Sequence, residues 1–220
     1  MEDKKLILKV LVGSRAHGLE RENSDYDYRG VYIPPTREIL SIGHNYKGTH
    51  WVEGREDNTS YELGHFLHLA TKCNPSILEV FRAPVVEVTK EGEQILALFP
   101  YVWNPQDAFA AFTGYGLNQR KKLLEGKDDR PYKYAVAYLC TIYNLTDLLM
   151  TGTFNLKVER PERLALLKKC RDGEYTPGQI VDMAAKLTSL AKPLRDKSTQ
   201  VPDLEKVNST LLEIRRRNWE

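Results

Sequence analysis

The sequence is poor in cysteine, lacks a long apolar run and carries almost no excess of either charge. Its 220 residues include three cysteines, Cys73, Cys140 and Cys170, far apart and with no CxxC among them. A zinc ribbon or a disulfide framework therefore has no support. Lys plus Arg is 32 against 30 for Asp plus Glu, a net charge of +2. That balance excludes a strongly basic nucleic-acid coat but not a local basic face. No stretch approaches the ~20 apolar residues of a membrane-spanning helix. The start, Met1 to Lys5, is charged and has no signal-peptide core. The composition points to a reducing, cytoplasmic compartment without a membrane partner. The length fits one domain or two small ones, with enough chain to bury a core unaided by disulfides.

What is present changes character near residue 104. Before it, β-prone runs alternate with turns. Leu6 to Val12 is apolar and ends at Gly13-Ser14, which reads as a buried strand entering a tight turn. Tyr26 to Ile33 reads as a second strand stopped by Pro34-Pro35, with room for a short helix between the two. Leu63, Phe66, Leu67 and Ala70 define one helical face, and Thr59-x-x-Glu62 ahead of them reads as a capping box. Val85 to Val88 reads as a short strand. After residue 104 the pattern is helical, with segments opening at or beside Pro131, Pro161, Pro177 and Pro202. Proline suits a helix start because its missing N–H has no helical partner there. The spacing predicts an α+β protein, with strands and helices over residues 1–104 and a helical bundle over residues 105–220.

The chemistry concentrates in Gly13-Ser14-Arg15-Ala16-His17-Gly18 and Ser24-Asp25-Tyr26-Asp27-Tyr28-Arg29-Gly30. A strand ending in Gly-Ser presents backbone N–H groups and a hydroxyl at a turn, which suits phosphate. Asp25 and Asp27 are spaced i, i+2 on an extended stretch, so alternation puts both on one face. Two adjacent carboxylates repel unless a cation lies between them. All-oxygen ligands suit Mg²⁺ shared with a nucleotide's phosphates, and Mn²⁺ accepts the same donors. Taken alone, Gly13-Ser14 is an ordinary turn and Ser24-Asp25 an Asx-type turn. The conjunction of strand, Gly-Ser, spacer and Asp-x-Asp is what carries the functional reading.

This conjunction resembles the DNA polymerase β superfamily of nucleotidyltransferases, whose signature is an apolar strand, Gly-Ser or Gly-Gly, a spacer and Asp-x-Asp or Asp-x-Glu. The fuller string is similar to a branch found in bacteria and tailed phages that includes RNA-ligase-associated, RNA-repair members. Ser60-Tyr61-Glu62-Leu63, Lys72-x-Asn74-Pro75-x-x-Leu78-Glu79 and Gly114-Tyr115-x-x-x-Gln119 extend the resemblance. It implies a polymerase-β-like catalytic core, a small mixed sheet with helices, whose cleft is completed by the helical half. It also implies transfer of a nucleoside monophosphate from an NTP to an acceptor hydroxyl, with two metal ions and release of pyrophosphate. Asp25 and Asp27 would bind metal, Gly13 and Ser14 the β- and γ-phosphates, and RNA would be a candidate acceptor. A third carboxylate from a later strand is expected. Asp57 is the first choice, with Glu62, Glu56 and Glu53 as alternatives. Where members of the branch often carry a His and an Arg on the long helix, this chain has Tyr138 and Thr141.

Other residues carry two readings each. Arg15 and Lys72 are candidate phosphate contacts or solvated charges. Arg29 would pair with a carboxylate of its own face. His65 and His68 read as a surface pair, and Cys73 and Cys140 as inert core thiols. Arg120, Lys121, Lys122 and Lys127 form a basic cluster fit for a phosphate backbone, or simply a solvated helix face. Arg215-Arg216-Arg217 reads as solvated. Two other functions use the same residues: a nucleotide- or RNA-binding regulator without turnover, and a nucleotidyltransferase acting on a small molecule or a protein.

Overall fold

The computed structural model describes residues 4–43, 48–53, 56–126 and 131–220, with side chains at 44–57 outside the description. The chain forms two compact units. The first holds residues 1–72, 76–103 and 202–220, and the second residues 73–75 and 104–201.

The first unit is built on a five-stranded sheet. Its strands are β1 (Lys5–Val12), β2 (Tyr26–Ile33), β3 (Gly48–Glu53), β4 (Glu56–Glu62) and β5 (Val85–Val88), in the order β3-β4-β2-β1-β5. β2 runs parallel to β4, and the other pairs are antiparallel. The short helix α1 (Gly13–His17) connects β1 to β2, and α2 (Thr36–Ile39) follows β2. Then come α3 (Leu63–Thr71), α4 (Pro75–Val80) and α5 (Lys90–Leu96).

The apolar run of β1 buries Leu8, Val10 and Val12, and α3, which packs on β2 and β4, buries Leu63, Phe66, Leu67 and Ala70, as their spacing predicts. Phe66, Phe81 and Phe99 pack in series as tilted pairs, at 5.1 and 5.8 Å between ring centroids. Such aromatic pairs contribute about 0.5–1.5 kcal/mol beyond their buried area.

Two expectations change here. Thr59 does not cap α3; it lies within β4. Glu62 is the cap, its Oε2 accepting the backbone N–H of His65 at 3.0 Å. The polar segment before it, Glu56 to Ser60, is a strand because it pairs residue for residue with Tyr26 to Gly30 of β2, a tertiary gain that local composition does not display.

The second change concerns the last helix, α10 (Leu204–Arg217), which sequence alone placed in the helical half. It belongs to the first unit. The Asp203 N–H donates to the Tyr101 carbonyl at 2.9 Å. At its far end the carbonyls of Asn218 and Trp219 accept the Thr36 and Arg37 N–H groups at 2.9 and 3.2 Å, filling needs left open at the start of α2. Arg215 is only 12% exposed and pairs with Glu62, 6% exposed. Its neighbour Arg217 reaches Gln94 at 2.6 Å. The arginine triplet is thus in part a packing device, and not simply a solvated face.

The second unit contains α6 (Pro105–Leu124), α7 (Pro131–Thr151), α8 (Pro161–Arg171) and α9 (Pro177–Lys197). α7 packs against each of the other three. Phe112, Leu139, Leu145, Leu148, Phe154, Leu167 and Ile180 are buried in its core. α9 continues through Pro193 to Lys197. Among the described residues, no helix is long and apolar enough to cross a membrane.

Candidate active site

The site begins where β1 stops. Val12 is the last residue of β1, and its register partner on β2 is Asp27. Gly13 then turns with φ +70°, a conformation glycine adopts without a Cβ penalty. A Cβ at this position would collide with the Asp27 carboxylate. Glycine is required twice over, by the turn and by the closeness of Asp27. Ser14 follows in α1, and its carbonyl accepts the Leu19 N–H at 2.9 Å, closing the turn behind it.

On its other side Asp27 is the register partner of Asp57, across the parallel β2–β4 pair. One row of the sheet therefore runs from the end of β1, through Asp27, to position 57. Of the expected third carboxylates, Asp57 is the one in register with Asp27; Glu56 pairs with Tyr26 and Glu53 with Glu56. The side chains of Glu53, Glu56 and Asp57 lie outside the described residues. Glu62 is in register with Tyr32, five residues further along β2 from Asp27. At ~3.3 Å per residue that is about 16 Å away. Its two oxygens serve His65 and Arg215, so the structure assigns it to capping and pairing instead of the Asp27 row.

Asp25 lies in the exposed turn just ahead of β2, and Arg15 holds that turn. Its guanidinium donates to the Ser24 carbonyl through Nε at 3.2 Å and Nη2 at 2.8 Å. The same group sits 3.9 Å from the centroid of the Tyr26 ring. It thus grips the residues on both sides of Asp25. Ser24 adds its own closure, its Oγ accepting the Arg21 N–H at 2.7 Å. This clamping role was not read from the sequence, and the alternation of charge and aromatic residues around Asp25 is the signal that could have suggested it.

Arg29 donates to the Tyr28 carbonyl at 2.9 Å. Lys72 is exposed at the C-terminal cap of α3. His68 is exposed, and His65 is half-buried beside Tyr61. Burial pushes the Cys73 thiol up to about 11, and Cys140 is buried as well. Lys127 lies outside the described residues.

A strand–turn–strand unit carrying Gly-Ser and Asp-x-Asp at one end of a mixed sheet is the arrangement of a polymerase-β-like nucleotidyltransferase. The chain belongs to the RNA repair pathway DNA polymerase beta family (RlaP), whose family model matches residues 1–168. It is 28% identical over 133 residues to the uncharacterized protein YcgL of Bacillus subtilis (strain 168), covering 59% of this chain and 51% of that one. It is 30% identical over 108 residues to an uncharacterized 38.9 kDa protein from the nrdC-mobD intergenic region of Enterobacteria phage T4, covering 45% of this chain and 30% of that one. The chain thus spans about half, or less, of the length of these curated relatives. A nucleotidyltransferase-like protein from Exiguobacterium sibiricum 255-15 is a distant structural neighbour. It is 12% identical, with a TM-score of 0.31 over 97% of this chain and 74% of that one.

Proposed function

We propose that the protein transfers a nucleoside monophosphate from an NTP to an acceptor hydroxyl. The acceptor oxygen bonds to the α-phosphorus, the α–β phosphoanhydride bond breaks, and pyrophosphate leaves with the electron pair. The hydroxyl proton passes to solvent. The observation that carries this reading is the row formed by Gly13, Asp27 and position 57.

Asp25 and Asp27, with Asp57 as third ligand, are the oxygen donors for divalent metal. Their all-carboxylate character suits Mg²⁺ or Mn²⁺, with two ions expected. Bound there, the metal would neutralise phosphate charge and lower the pKa of the attacking hydroxyl. Gly13 leaves its backbone open for the β- and γ-phosphates, and the Ser14 hydroxyl donates to them. Arg15 keeps Asp25 in place by holding Ser24 and Tyr26. Lys72 is assigned to the triphosphate.

RNA is the proposed acceptor, supported by the RNA-repair character of the family. Purified protein, an α-labelled NTP, Mg²⁺ or Mn²⁺ and pooled RNA test the reading. Label on RNA with the wild type, and none with Asp25→Asn/Asp27→Asn, is the expected result. Pyrophosphate release without labelled RNA keeps the transferase and replaces the acceptor with a protein or a small molecule. Metal-dependent NTP binding without any turnover replaces it with a regulator.

A further inference from the structure

One end of the helical unit gathers basic side chains from three helices. α6 ends with Arg120, Lys121 and Lys122, and α7 begins with Lys133 in its first turn. α8 ends with Lys168 and Lys169. Two contacts draw these helix ends together. The Lys122 ammonium lies 5.3 Å from the centroid of the Tyr134 ring, joining the end of α6 to the start of α7. The Tyr132 ring lies against Gly173, 3.1 Å from where a Cβ would stand, joining the start of α7 to the end of α8. Gly173 has φ +79° and closes α8, the Glu174 N–H reaching back to the Lys169 carbonyl at 3.0 Å.

These cations are mostly turned to solvent: Arg120, Lys121, Lys133, Lys168 and Lys169 are all exposed. The carboxylates near them are Glu125, Asp172 and Glu174. Glu125 meets Lys121 at 3.9 Å, and Glu174 meets Lys169 at 3.4 Å. Both pairs are more than half exposed, so they hold their lysines weakly. The intervening Lys127-Asp128-Asp129-Arg130 is neutral overall. Basic residues in the last turns of α6 and α8 gain a little from the helix dipole, but that does not account for Lys133 at the start of α7. In a chain with net charge +2, this is a concentration of positive charge with half-buried tyrosines, Tyr132 and Tyr134, set among it. Phosphate contacts with adjacent aromatic rings are what a flexible, single-stranded nucleic acid needs.

We infer that this end of the helical unit binds the phosphate backbone of single-stranded RNA. The inference rests on the proposal that RNA is the acceptor and adds the surface that would hold it.

Fluorescence anisotropy with a labelled single-stranded RNA and the full chain tests it across a range of salt. Two variants, Lys121→Gln/Lys122→Gln and Lys168→Gln/Lys169→Gln, each remove charge at this end. The control, Lys192→Gln/Lys197→Gln, removes the same charge at the C-terminal end of α9. Each single-strand phosphate contact contributes about 0.7 to the slope of log K against log salt. Each basic-end variant should weaken binding several-fold and flatten that slope by about 1, while the control binds as the wild type does. Equal loss in the control, or no loss in either basic-end variant, overturns the inference. Retained, charge-dependent binding with no label transfer would leave this surface standing and remove the acceptor reading. Label transfer to RNA that is insensitive to all three lysine pairs would do the reverse.

Discussion

The Asp27 carboxylate occupies the space that a side chain at Gly13 would need. The turn that ends β1 and the carboxylate near the start of β2 are therefore one construction. Gly13→Ala must both enter a left-handed backbone region and displace Asp27. The backbone alone should cost about 1–2 kcal/mol, read as a lower melting temperature. The larger effect should be on turnover, with NMP transfer falling by at least about a hundredfold in protein that remains folded. Full activity in Gly13→Ala would show that Asp27 need not stand there.

Asp57 and Glu62 separate by the same logic. Asp57 is in register with Asp27, whereas Glu62 is in register with Tyr32 and bound to His65 and Arg215. Asp57→Asn should reduce metal-dependent transfer by roughly a hundredfold or more with little change in stability. Glu62→Gln keeps an oxygen for the cap and should retain most activity per folded molecule. Reversed outcomes would move the third metal ligand to Glu62.

The Glu62–Arg215 pair should instead matter to folding. Both side chains are nearly buried, so removing one partner strands the other's charge. Arg215→Ala should lose about 3 kcal/mol, measured by denaturant unfolding. Replacing both, as Glu62→Gln/Arg215→Met, should recover part of that loss, because two matched neutral groups leave no stranded charge. A double variant worse than Arg215→Ala would contradict this.

Glu91 supplies a pH dependence. The Lys5 ammonium, at 2.8 Å, together with backbone and Thr89 hydrogen bonds, holds its carboxyl down from the usual 4.5 to about 2. A carboxyl lowered by folding stabilises the native state above its unfolded pKa and loses that contribution as pH falls through the folded one. Stability should therefore decline between about pH 5 and 2 through this group, by about 1 kcal/mol once screening at the half-exposed Lys5 is allowed for. Glu91→Gln should remove that part of the acid dependence, visible in unfolding curves against pH.

Cys73 and Cys170 are both buried, and burial pushes both thiols up to about 11. At pH 8 only about one in a thousand of each would be thiolate. Neither should react with a thiol reagent in native protein, and both should react once it is unfolded. Rapid native labelling at either would contradict their burial.

Much of this was legible in the residues. β1, β2 and β5 announced themselves by apolar and β-branched runs, and α3 by its four-residue face. Prolines marked where α7, α8 and α9 begin. β3 and β4 were hidden because Gly48 to Glu62 is largely polar, and pairing with β2 makes β4 a strand. The sequence marks α10 as a helix opening near Pro202 without naming what it covers, so its return to the sheet and the Glu62–Arg215 pair could not be foreseen. The Gly-Ser and Asp-x-Asp elements were visible by spacing. The contact between Gly13 and Asp27 needed the β1–β2 register, and the clamp from Arg15 to Ser24 needed the turn itself.

Label transfer from each of the four α-labelled NTPs to RNA, with Mg²⁺ or Mn²⁺, asks whether Asp25 and Asp27 carry NMP transfer. Wild type and Asp25→Asn/Asp27→Asn are compared at equal folded concentration. Metal-dependent label on RNA, with matching pyrophosphate, is expected from the wild type alone. Equal label from the variant would contradict the assignment of Asp25 and Asp27, and no turnover of any NTP with bound nucleotide would contradict the transferase itself.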